Sequence, residues 1–267
     1  MKQLTLAVLL VIFAITVRRA LQSPRPVEVS QAAALAPTPR GERARRTHWL
    51  SRAEGAEVET VAGEAAASGS GSPAAPGLRP AEVRERLRQG APGTYIDEIL
   101  AQRDSALTRW PERITNPLRV WVADASAMDG WDPSFPDRVR DAFTEWSALG
   151  IPVRFTFVVD SADADIHISW INEFSEPISG KTLWSRDRHW WIVGGSITLA
   201  LHHNGGERLD GSAIHAIALH EVGHLLGLDH TADLSNIMTP RVRVRELSPA
   251  DRATVKLLYS LPAGSVK

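Results

Sequence analysis

The chain has 267 residues, 43% of them apolar, which is length and apolar content enough for one sizeable core. Lysine and arginine total 30 against 31 acidic residues, so no net field points to nucleic acid or to an acidic partner. Cysteine is absent, which removes disulfides and thiol chemistry without fixing the compartment.

Lys2 and the mostly apolar run from Leu4 to Val17 have the shape of a signal sequence or short membrane anchor over residues 1–19. Export is therefore expected, with the protein secreted or held by this segment facing outside the cytoplasm, and membrane contact is expected through this segment only. The run is shorter than the ~20 residues of a spanning helix. From 20 to 80 the chain is rich in Ala, Pro, Gly, Ser, Glu and Arg, and Trp49 is its only aromatic residue. Such a stretch cannot bury enough surface to offset the entropy of ordering, so it reads as a disordered tether. The basic cluster Arg40 to Arg46 reads as a solvated charge run. Ala81 to Gln89 alternates charge at helical spacing and Ile96 to Leu107 reads as helical, so 81–106 is expected to be a helical pro-segment or a brace on the domain downstream.

Arg119 to Val122 reads as a first strand after a turn over Ile114 to Pro117. Val139, Ala142, Phe143 and Trp146 repeat at three and four residues within Pro136 to Leu149, which predicts an amphipathic helix laid on that sheet. Val153 to Val159 and Ile166 to Trp170 alternate as further strands, and Gly195 to Leu201 reads as a fourth beside the cleft. Trp184, Trp190 and Trp191 fall in an expected loop, where they either pack on the sheet or line a substrate surface. A strand, helix, strand, strand order predicts an α+β fold with a mixed sheet.

The chemistry is concentrated in His220-Glu221-Val222-Gly223-His224-Leu225-Leu226-Gly227-Leu228-Asp229-His230. Residues four apart on a helix lie about 40° apart around its axis, so His220 and His224 share a face. Gly227 falls where the helix would end and can take the left-handed conformation that turns the chain back, bringing His230 round as third ligand. Three neutral nitrogens leave one tetrahedral zinc position for water, and Glu221 is placed to take that water's proton. The helix should start near Ser212, with His215 pointing away from the ligands. Asp229 is expected to steady the ligand loop by a hydrogen bond. Ser248, Pro249 and Asp251 begin a last helix that carries Val255, Leu258 and Tyr259 to the core.

The extended motif is the metzincin signature. Met238, within Ser235-Asn236-Ile237-Met238-Thr239-Pro240, resembles the Met-turn of those enzymes, and Pro240 is similar to the matrixin branch. Val139 to Trp146, Ala164 to Ile168 and Leu247 to Tyr259 also resemble matrixin elements in order, so the likeness covers about 107–261 and leaves 262–267 as a tail. The resemblance implies a zincin-like catalytic domain: a twisted mixed sheet, a first amphipathic helix, an active-site helix and a C-terminal helix. It implies one catalytic zinc on His220, His224 and His230, Glu221 as the base, and Gly227, Asp229, Met238 and Pro240 as support. It also implies a polypeptide substrate lying along an edge strand. That role would fall to Gly195, Ser196, Ile197, Thr198 and Leu199. A monomer is expected, and calcium is not legible. The matrixin latency cysteine is missing, and His167, His189, His202 and His203 do not match a second zinc loop. Two other readings stay open: a zinc hydrolase of a non-peptide amide or ester, and a zinc-braced binding module without turnover.

Overall fold

A computed structural model describes residues 57–64 and 78–266. The signal or anchor over 1–19 and most of the tether lie outside the described residues. Within the tether, however, Glu57–Glu64 is a strand, β1, and this corrects the expectation of disorder there. Composition counted against burial, but a strand that joins a sheet already formed needs only its own backbone groups. Two helices come next, α1 (Pro80–Gly90) and α2 (Ile96–Gln102). The second stops well short of Leu107, because Asp104 and Ser105 take left-handed φ of 51° and 61° and end the turn. Ala106–Leu107 then forms β2, paired antiparallel with β8 (Gly264–Ser265), so the tail is tied back to the domain.

The main sheet consists of β1, β3 (Arg113–Val122), β4 (Val153–Phe157), β5 (Ile166–Ile171), β6 (Ile178–Arg186) and β7 (Ile192–Ala200). Their order is β1-β6-β7-β5-β3-β4. Only β6 and β7 pair antiparallel, and the other neighbours are parallel. Ile114 to Pro117, predicted as a turn, belongs to β3, where the register with β4 slips between Arg113 and Leu118. Pro117 is accommodated at that irregularity because it has no N–H to offer the ladder.

Helix α3 (Phe135–Ser147), with Pro136 in its first turn, buries Phe135, Val139, Ala142, Phe143 and Trp146. Leu118, Val120, Ile166, Ile168, Ile197 and Leu199 face the same core from the sheet. Each such side chain contributes about 1.5–3 kcal/mol on burial. α1 and α2 join this core through Val83, Leu87, Ile96 and Ile99.

At its centre lies α4 (Gly211–Leu225), buried from Ala213 onward at every position but His215. A helix apolar all round has to be covered all round. α5 (Pro249–Ser260), opened by a Ser248–Asp251 capping box, closes one side with Val255, Leu258 and Tyr259. The last carbonyls of α4, which no helical N–H reaches, are taken by aromatic donors. Trp110 Nε1 bonds to Leu225 O (2.8 Å) and the Tyr259 hydroxyl to Leu226 O (3.1 Å), while Trp146 Nε1 reaches Leu219 O (2.9 Å).

Candidate metal centre and active site

Asp210 caps α4, its carboxylate accepting from Ala213 N at 2.8 Å, so the helix starts before Ser212 and not after it. Past Leu225 the chain reverses at Gly227, where φ is +100°. No other residue fits: a Cβ would run into the backbone carbonyl of Thr108, whose carbon would stand 3.1 Å away. The turn is closed by Leu228 N bonding to Gly223 O (3.0 Å) and delivers His230 to the face that carries His220 and His224.

The three imidazoles converge, with one ligand atom from each lying within 4.8 Å of the others. His220 Nε2 is 2.9 Å from His224 Nε2, which is 3.2 Å from His230 Nε2. The remaining nitrogens fix the tautomers of the first two. His220 Nδ1 donates to Ile237 O (2.7 Å) and His224 Nδ1 to Leu228 O (3.1 Å), so both Nε2 atoms carry lone pairs. Burial, reinforced by the neighbouring imidazoles, pushes His220 down to about 3 and His224 well below the usual histidine range. Neutral rings whose lone pairs face one another repel unless a cation stands between them. A tetrahedron of Zn–N bonds 2.0–2.1 Å long has edges of about 3.3 Å. Two of the three nitrogen spacings, 2.9 and 3.2 Å, come close to that edge.

Glu221 sits beside the cluster, fully buried. Its Oε2 is 2.5 Å from Thr182 Oγ1 on β6, whereas Oε1 has no partner among the protein groups. Burial raises its acid to about 8, against the lowering effect of the Thr182 hydroxyl. The approach of α4 to β6 depends on Gly180, since a Cβ there would lie 2.8 Å from Glu221 Cδ. β6 is thus the strand that borders the site, and sequence reasoning misses it together with Gly180 and Thr182. The signal available is a glycine among small polar residues, the mark of a strand approached closely by another group.

This corrects the substrate strand. Gly195, Ser196, Ile197, Thr198 and Leu199 lie on β7, which is hydrogen-bonded on one side to β5 and on the other to β6. An interior strand has no free ladder to offer a peptide.

The supporting residues fall around the triad. Asp229 Oδ1 accepts from His230 N (2.9 Å). Met238 is buried beneath Gly223, where a Cβ would stand 3.1 Å from Met238 Cε, and its carbonyl accepts from Thr231 N (3.0 Å). Pro240 is exposed just beyond. His215 bonds to Glu145 Oε1 (2.9 Å), away from the cluster. His167 bonds to Ser161 O and His203 to Ser179, and neither joins the triad. Of the tryptophans, Trp184 is a buried residue of β6, while Trp190 and Trp191 stack on Arg186 and Arg109 at 3.8 and 4.8 Å. They pack on the domain.

Residues 132–260 match the family model described as Matrixin. The chain is also similar to Metalloendoproteinase 1 of Glycine max, with 24% identity over 49% of this chain, and to Karilysin of Tannerella forsythia, with 33% over 46%. Matrilysin of Felis catus is 28% identical over 65% of the chain. The chain spans less than two thirds of these relatives, covering 47%, 28% and 62% of their lengths.

Proposed function

We propose that this chain, which carries a matrixin-like metzincin catalytic domain, is a zinc-dependent endopeptidase that hydrolyses internal peptide bonds of polypeptides. The observation that carries the reading is a buried carboxylate with one orphaned oxygen, a single residue away from the first of three converging imidazoles. An unpartnered buried acceptor costs about 1–3 kcal/mol, and this one sits beside the imidazole cluster, where a bound water would satisfy it.

His220, His224 and His230 would hold the ion through Nε2. Once bound, zinc supplies a Lewis acid that polarises the scissile carbonyl and makes water acidic near neutral pH. Glu221 does the proton work. Held as the carboxylate by the cation bound beside it, Glu221 would take a proton from the attacking water through Oε1 and return it to the amine nitrogen as the peptide bond breaks, while Thr182 keeps the other oxygen in place. The peptide would lie along the outer edge of β6, in the position where β1 is paired. β1 itself supports this reading, because it demonstrates that the edge accepts an extended segment through backbone hydrogen bonds. Export through the apolar N-terminal segment would place this activity outside the cytoplasm.

The full chain, purified and assayed for bound metal and for cleavage of casein, tests the proposal. Wild type should carry one zinc and cut casein, and Glu221→Gln should keep the zinc and lose the cleavage. Full activity in Glu221→Gln refutes the assigned base. Turnover of small esters with proteins untouched would favour a non-peptide hydrolase, and zinc without any turnover a binding module.

A further inference from the structure

We propose that Tyr95–Arg103 is a permanent clamp on the third imidazole, with Arg103 its principal positioning residue, and not a leader to be shed. The proposal rests on the zinc-peptidase reading above. His220 and His224 are fixed by a helix, but His230 lies on an irregular loop, and a useful ligand has to be held to within about 0.5 Å. The loop's own backbone bonds, Leu228 N to Gly223 O and Thr231 N to Met238 O, hold its two ends and leave the stretch between them open to further partners. The segment before the sheet supplies them to five consecutive residues. Arg103 Nη2 donates to Leu228 O (3.0 Å) and its Nε to Asp229 Oδ2 (2.8 Å). Gln102 Nε2 donates to His230 O (2.8 Å). The Glu98 carboxylate accepts from Thr231 Oγ1 (3.0 Å) and from Ala232 N (2.8 Å).

Arg103 is the hub of this arrangement. Its guanidinium lies 4.9 Å over the ring of Trp184 on β6, and the paired Arg103 and Asp229 side chains are only 10% and 18% exposed. The pair is therefore screened little by solvent, and its planar fork holds both a carboxylate and a carbonyl in a fixed geometry that a lysine's single ammonium reproduces only in part. Asp229 passes the constraint on through its other oxygen to His230 N. The same segment also grips the opposite wall of the site. Tyr95 OH donates to Asp251 Oδ1 (3.0 Å), Asp251 Oδ2 accepts from Ile237 N (2.9 Å), and Ile237 O receives His220 Nδ1. All of Tyr95–Arg103 precedes residue 132, where the family match begins.

The test uses full-length wild type, Arg103→Ala, Arg103→Lys, Gln102→Ala and the exposed control Arg84→Ala. Zinc affinity is measured by competition with a chromophoric chelator, together with thermal unfolding of the metal-free proteins. Removing an outer partner of a metal ligand weakens binding about 10–100-fold, which is the expectation for Arg103→Ala. Arg103→Lys and Gln102→Ala, which leave the apolar packing intact, should each show part of that loss, and Arg84→Ala none. Zinc affinity unchanged in all three clamp variants, even with lowered metal-free melting temperatures, would overturn the clamp and leave the peptidase reading standing. A wild type that takes up no zinc would overturn both.

Discussion

Replacing Gly180 by alanine puts one methyl group between β6 and α4. The new Cβ would lie 2.8 Å from Glu221 Cδ and 2.8 Å from Ile217 Cγ2, well inside the 3.5–4.0 Å of a comfortable carbon contact. Ile217 belongs to a packed helix face, whereas the Glu221 carboxylate is the free end of its side chain, so the carboxylate yields first and leaves Thr182. A displaced general base forfeits roughly 10²–10⁴ in rate, or about 3–5 kcal/mol of barrier. The fold suffers less, since overpacking by one carbon costs about 1–3 kcal/mol. The expected variant is folded, loaded with zinc and nearly inactive. kcat/KM on a protein substrate, metal content and melting temperature, taken on one preparation, decide the matter. Activity within threefold of wild type would refute the placement of Glu221 against β6.

Gly227→Ala combines a left-handed φ with a collision against the backbone carbonyl of Thr108, which cannot swing aside as a side-chain tip could; about 3 kcal/mol or more of stability should disappear, with zinc uptake, in denaturant titrations run with and without the ion. Unchanged titrations would contradict the tight turn. Metal-free stability should also depend on pH through Glu221. Burial raises its folded pKa to about 8 from 4.5, so the stability tied to its proton is complete below 4.5 and is lost as pH rises through 8. The buried histidines are common to both proteins and cancel in the comparison, so from pH 6.5 to 8 wild type should lose up to roughly 1.4 kcal/mol per pH unit relative to Glu221→Gln. A constant gap between the two from pH 6.5 to 8 would count against a buried carboxylic acid. Deleting residues 1–77 removes β1 from β6 and should lower KM for protein substrates without reducing kcat; a KM that stays put argues against β6 as the substrate edge.

The ligand motif is legible because its geometry is local. His220, Glu221 and His224 share one helix turn, and Gly227 announces its own φ. The α3 stripe and the Ser248 cap are legible for the same reason. β6 is not, since Ser179, Gly180, Lys181 and Thr182 show no apolar alternation: Gly180 and Thr182 face a carboxylate on α4, and Ser179 bonds to His203. With β6 unseen, β7 reads as an edge. The contacts of Arg103 and Gln102 with the ligand loop cross 126 and 128 residues of sequence, beyond the reach of any periodicity. β1 escapes for another reason, because its order comes from the ladder it joins, which composition does not register.

Eight residues already run along the outer ladder of β6. A newcomer has to exchange with them amide for amide, and single amino acids or small esters bring too few groups to compete. On the peptidase reading proposed above, the occupied ladder would act as a ruler, favouring long unfolded stretches of protein over fragments.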